Sequence, residues 1–139
     1  MGAAVIAVWL ITLSGFDIRQ RRLPNWLTMP GAAAVLCGAA VSGRGGPALA
    51  GAAALTAVYL LVHFAAPAGL GAGDVKLAPG IGALTGAFGA EVWTLAAVAA
   101  PILTGFWAVV ALAFGGSEQV PHGPAMCAAA AGAVAAAWL

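Results

Sequence analysis

The chain has 139 residues, 63% of them hydrophobic and only 6% charged, with a formal net charge of +1 and a mean hydropathy of +1.04. A soluble domain carries roughly 25% charged residues, and a chain with so few would expose apolar patches that drive association. The composition therefore excludes a soluble globular protein and points to a bilayer. With no basic stripe beyond one short loop, it also excludes a nucleic-acid surface.

Polar or Gly/Pro-rich breaks divide the chain into about six apolar segments, each near the length a helix needs to cross ~30 Å of hydrocarbon. The first, Ala3–Asp17, lacks the basic n-region of a cleavable signal peptide and runs into Asp17 and three arginines. Leu23, Pro24 and Asn25 read as a turn into the second, Asn25–Val41, with Asn25 as its N-cap. The third, Pro47–Ala66, carries His63 near its end, expected to be packed and hydrogen-bonded. The fourth, Gly71–Phe88, opens with "GAGDVKLAPG" and contains Gly82 and Gly86, whose spacing of four lets helix backbones approach closely in lipid. Pro79, inside it, is expected to kink the helix or delay its start. Ala90–Phe114 and Pro121–Trp138 complete the set. No segment shows the alternation a membrane β-barrel needs. The expected fold is all-α, a polytopic membrane bundle of about six transmembrane helices, with residues 1–139 as a single domain. Cys37 and Cys127 lie in apolar runs without CxxC spacing and read as small apolar fillers. Several of the five tryptophans fit an aromatic belt at the interfaces.

Orientation follows from Lys and Arg. Arg19, Arg21 and Arg22 follow the first span and Lys76 opens the fourth, against Arg44 alone after the second. The positive-inside rule makes the first of these connections cytoplasmic, and counting crossings puts the third there too, with both termini outside. Asp17, ending span one, and Asp74, opening span four, then share the cytoplasmic face.

An aspartate at the hydrocarbon centre costs roughly 2.5–3.5 kcal/mol and less near the interface. Asp74 has a plain reading, as a helix N-cap or a charge paired with Lys76. It also has a chemical one. Gly71 and Gly73 remove side chains just ahead of it, permitting an unwound backbone and close approach of an extended substrate segment. Asp17 supplies a second carboxylate on the same side, and two neighbouring carboxylates share a proton, as in an aspartic protease. Lys76 either acts on Asp74 as a nearby cation or snorkels to lipid headgroups. The arginines are accounted for by topology, with substrate docking as the second reading.

"FDIRQRRLPNWLT" and "GAGDVKLAPGIGALTG" together resemble the two signature segments of the type IV prepilin peptidases, the bacterial GxGD membrane aspartic proteases. "VPHGPAM" is similar to the Pro-x-Gly-Pro turn that opens the last helix in that family. The resemblance implies a six-helix intramembrane protease of the bacterial plasma membrane that removes the short basic leader of prepilin-like proteins at the cytoplasmic face. Asp17 and Asp74 match the family's catalytic aspartates, with Gly71, Gly73 and Lys76 shaping the site. The chain resembles the short members, without the N-terminal cysteine-motif domain of the larger ones, so cleavage without methylation is expected. His122 stands where an aromatic residue is common in relatives. It either tunes the aspartates or is an interfacial histidine hydrogen-bonded to backbone.

The implied mechanism needs no metal or cofactor. Water held between Asp17 and Asp74 attacks the scissile carbonyl, one carboxylate acting as base and the other as acid. The implied partners are prepilin-like membrane proteins and the bilayer, with no nucleic acid. Two alternatives stand beside it. A presenilin-like protease would carry its partner aspartate on the preceding span after a tyrosine, but here Leu60 follows Tyr59. A non-enzymatic small transporter or proton conduit would place its carboxylates at mid-membrane depth.

Overall fold

The structure, a computed structural model, describes residues 2–20, 23–66, 71–116 and 120–137. Arg21, Arg22, Leu70 and Trp138 lie outside the described residues. Six helices follow one another: α1 (Gly2–Gln20), α2 (Asn25–Val41), α3 (Gly45–Ala65), α4 (Ala72–Ala87), α5 (Ala90–Ala113) and α6 (Gly123–Ala137). Among the described residues there is no strand, so the fold is an all-α bundle. Three helices, α1, α3 and α5, are long and apolar enough to cross a membrane. The even-numbered helices have 17, 16 and 15 residues and reach about 22–26 Å.

The bundle is built around α4. Leu77, Ala78 and every residue from Gly80 to Gly86 are buried, and the helix packs on α2, α3, α5 and α6. Large apolar side chains such as Val5, Ile11, Leu61, Phe106 and Leu112 point outward instead. Lipid favours this distribution, because its tails solvate leucine as well as a protein core does.

What holds α4 in place is backbone contact. A Cβ on Gly51 would fall onto the Gly82 carbonyl oxygen, and one on Gly82 onto the Gly51 carbonyl oxygen. One on Gly86 would lie 2.7 Å from the Pro47 carbonyl oxygen. The expected close approach at Gly82 and Gly86 is thus realised, against α3. Two tryptophans add cross-helix hydrogen bonds: Trp93 Nε1 donates to the Gly51 carbonyl and Trp9 Nε1 to the Leu27 carbonyl, both at 3.0 Å. Trp9 sits over Gly31 and Gly80, bridging α1 to α2 and α4. These two rings serve packing, whereas Trp26 is exposed and meets Phe16 edge-on at 5.8 Å. Hydroxyls of Thr12, Ser14, Thr28, Thr85 and Thr94 each bond the carbonyl four residues back, satisfying themselves locally where water is scarce.

Several local expectations are corrected. α1 runs on to Gln20, so Asp17 lies one turn inside the helix rather than at its end. Nothing in the sequence breaks the helix before Pro24 restricts Leu23. The N-cap of α2 is Pro24, not Asn25, and its carbonyl accepts the amides of Leu27 and Thr28. Pro79 sits inside α4 without delaying its start. It removes only the amide that would have met the Val75 carbonyl.

Successive helices alternate in direction. The α2–α3 connection and the α4–α5 turn at Gly89 (φ 117°) share one end, where the Arg44 guanidinium lies 5.5 Å from the Phe88 ring centroid. The beginnings of α2, α4 and α6 share the other. Replacing Gly82 with Leu should force α3 from α4 and cost about 1–3 kcal/mol or more, read as a lowered unfolding temperature in detergent. Gly132→Ala, where a Cβ meets nothing within 4 Å, should leave it unchanged or slightly raised.

Candidate active site

The end where α2, α4 and α6 begin holds both candidate aspartates and His122. Asp17, on the last turns of α1, is only 7% exposed. Its Oδ2 accepts the backbone amide of Gly123 at 2.8 Å, the first residue of α6. Helix N-termini carry unsatisfied N–H groups and a positive dipole end, so a carboxylate from another helix is a natural partner there. Gly123 must be glycine for this contact, since a Cβ would land on Asp17 Oδ2.

Asp74 stands in the first turn of α4. The N-cap is Gly71, whose carbonyl accepts the Asp74 amide at 3.2 Å, and the Gly71 backbone in turn hydrogen-bonds the Asp74 carboxylate. This reciprocal pair closes the helix start. Asp17 and Asp74 lie within electrostatic reach of one another. The structure thus brings together the two aspartates that the sequence placed on one face.

The other expected site residues fall out differently. The backbone at Gly73 is helical, not unwound, and only Gly71 is extended (φ −76°, ψ 158°). A Cβ on Gly73 would meet Leu23 at an ordinary 3.7 Å, and one on Gly71 would lie 3.9 Å from Asp74 Oδ2. Packing demands neither glycine, and only Gly71 lies beside the Asp74 carboxylate. Lys76 is exposed and does not stand beside Asp74, because residues two apart on a helix face apart. It lines a cavity of about 320 Å³ with Gln20, Leu23, Pro24, Asn25 and Trp26, and Leu23 packs between that cavity and Gly73.

Around the carboxylates stand Tyr59 and Cys127, for which no catalytic part was expected, and His122. Tyr59 of α3 is within electrostatic reach of Asp74. Cys127, expected as a filler, is buried, pairs with Ser14 and lies within reach of both aspartates. His122 does not bond backbone through its ring. Nε2 meets the Tyr59 hydroxyl at 2.8 Å and Nδ1 the Thr104 hydroxyl at 2.6 Å. The one signal that pointed here was the Pro-His-Gly-Pro turn. Which carboxylate it would meet is a matter of helix arrangement, invisible along the chain. His63 packs on Phe64 at the same end of α3.

The model of the type IV leader peptidase family matches residues 4–116. The chain belongs to this family. No curated protein and no solved structure matches it. The matched span holds both aspartates and stops ahead of Val120, so the closure of α6 onto Asp17 is known from the structure alone. Family and apolar helices together make the chain a leader-peptidase-like protease of a membrane.

In this leader peptidase, His122 lies in the connection between α5 and α6, and burial holds its imidazole below the ordinary 6.5. As pH falls through 6.5 the unfolded chain takes up a proton there and the folded chain does not, so stability is lost toward acid. The unfolding temperature should therefore fall more steeply below pH 6.5 for the native sequence than for His122→Phe. Parallel curves would contradict a buried, neutral ring.

Proposed function

We propose that the protein is an aspartic endopeptidase in which Asp17 and Asp74 act as one unit on prepilin-like substrates. The observation that carries this reading is the meeting of two carboxylates from α1 and α4 at one end of the bundle, in a chain of the leader peptidase family. One aspartate, ionised, takes a proton from water as it attacks the scissile carbonyl. The other, protonated, donates to the carbonyl oxygen as the tetrahedral intermediate forms; as the C–N bond breaks, the first gives the water-derived proton to the leaving amine and the second takes its proton back from the intermediate's hydroxyl. The chain's own groups suffice for these steps. The Gly123 amide orients Asp17, the α4 cap orients Asp74, and an extended peptide approaches Asp74 past Gly71, which has no side chain to block it.

In this reading the substrate is a bacterial prepilin-like protein with a short basic leader followed by a transmembrane helix, cut at the cytoplasmic face of the plasma membrane. The chain crosses that membrane six times with both termini outside. Arg19 and Lys76 at the site end against Arg44 at the other support this orientation.

Two experiments test the proposal. Single cysteines at Gln20 and at Gly46, which is exposed and has nothing within 4 Å of a Cβ, in a background without Cys37 and Cys127, should label from opposite sides of the membrane. Labelling of both from one side would overturn the topology. With a synthetic prepilin as substrate, Asp17→Asn and Asp74→Asn should each lose about a thousandfold or more of kcat. The double variant should be little worse than either, because groups acting as a unit are non-additive. Asn keeps most of the capping capacity of Asp, so folded single variants that still cleave would return both residues to a structural role.

A further inference from the structure

Two adjacent residues tie the start of α6 to three other helices. The His122 ring reaches Tyr59 of α3 and Thr104 of α5, and its carbonyl opens α6 by accepting the Met126 amide at 3.0 Å. The next amide, that of Gly123, reaches Asp17 of α1. The Thr104 hydroxyl lies within hydrogen-bond distance of both the Ala100 carbonyl, at 3.1 Å, and His122 Nδ1, and its single hydrogen serves one of them. With that hydrogen on the Ala100 carbonyl, the Thr104 oxygen accepts from His122, which places the proton on Nδ1. A neutral imidazole protonated at Nδ1 has a bare Nε2, and the Tyr59 hydroxyl supplies the donor. The hydrogens run one way, from Tyr59 through His122 and Thr104 to Ala100.

We propose that His122 is a positioning residue for the peptidase reaction, locked as the Nδ1–H tautomer between Tyr59 and Thr104 so that the Gly123 amide stays on the Asp17 carboxylate. The proposal rests on the reading of Asp17 and Asp74 as the reacting pair. A ring gripped on two sides holds the His122 Cα, and the His122 carbonyl bonded to the Met126 amide holds the other side of the peptide whose N–H meets Asp17, so together they set its plane. No side chain at position 123 can help, because a Cβ there would strike Asp17. A ring without nitrogens would fill the space between α3 and α5 but would leave the turn free to pivot. Tyr59 also lies within electrostatic reach of Asp74, so the same chain of hydrogen bonds borders both carboxylates.

The test uses the full chain in lipid nanodiscs. In protein with 15N-labelled histidine, the ring is identified as the signal that His122→Phe removes. A protonated Nδ1 with a bare Nε2 is expected, and a proton on Nε2 would overturn the proposal. In kinetics with a synthetic prepilin, Tyr59→Phe and Thr104→Val each remove one grip while keeping shape. Both should lower kcat by about ten- to a hundredfold while KM stays within about twofold, the mark of a misplaced reacting group. Thr104→Ser, which restores the hydroxyl, should recover most of kcat. Native kcat in folded Tyr59→Phe and Thr104→Val protein would overturn the positioning role. Cleavage by folded Asp17→Asn would instead refute the underlying reading, and the tautomer measurement stands apart from it because it needs no substrate.

Discussion

The structure depends on the contact between the backbones of α3 and α4, where Gly51 meets Gly82 and Gly86 without intervening side chains. In lipid no hydrophobic force drives one helix against another, so association must come from close van der Waals packing and hydrogen bonds. Small residues along α4 let it sink into the middle of the bundle, and the helices around it find their places by packing on it. Trp93 and Trp9 then act as pins, each spending its one N–H on a carbonyl of another helix. A bulkier α4 would sit at the rim, and Asp74 would face lipid rather than Asp17.

From this central position the chemistry follows by geometry. Alternating helix direction sends the N-termini of α2, α4 and α6 to the end where α1 finishes. Two of those N-termini receive a carboxylate. Asp74 closes its own helix, and Asp17 is received by α6. In a low-dielectric interior a charge or proton placed among fixed N–H donors is held far more firmly than in water. The site is thus a product of where helices start, and the loops contribute little beyond the turn at His122.

Much of the fold was legible in the sequence because lipid simplifies the rules. Apolar run length and Gly/Pro breaks located all six helices to within a few residues, and the Gly82–Gly86 spacing named the face on which α4 packs. The two aspartates were legible through topology, since the two crossings between them, α2 and α3, return the chain to the same end. Other features were hidden for identifiable reasons. The extension of α1 past Asp17 depends on a turn of helix that the arginines do not interrupt. Lys76 looked close to Asp74 along the chain but faces away, because helical twist decides neighbours. Tyr59 and Thr104 have no local pattern at all. They matter only because α3 and α5 flank the start of α6, a relation between helices that no single stretch of residues encodes.

The bond between Asp17 and Gly123 joins residues 106 positions apart, so it unites α1 with α6. During synthesis α1 and α4 can both be in the bilayer while the ribosome is still extending α5. At that stage Asp17 has no α6 amide to receive it, and the His122 turn does not exist. The candidate site is closed only once α6 is in place, so the contact that holds Asp17 arrives in one step rather than growing with the chain.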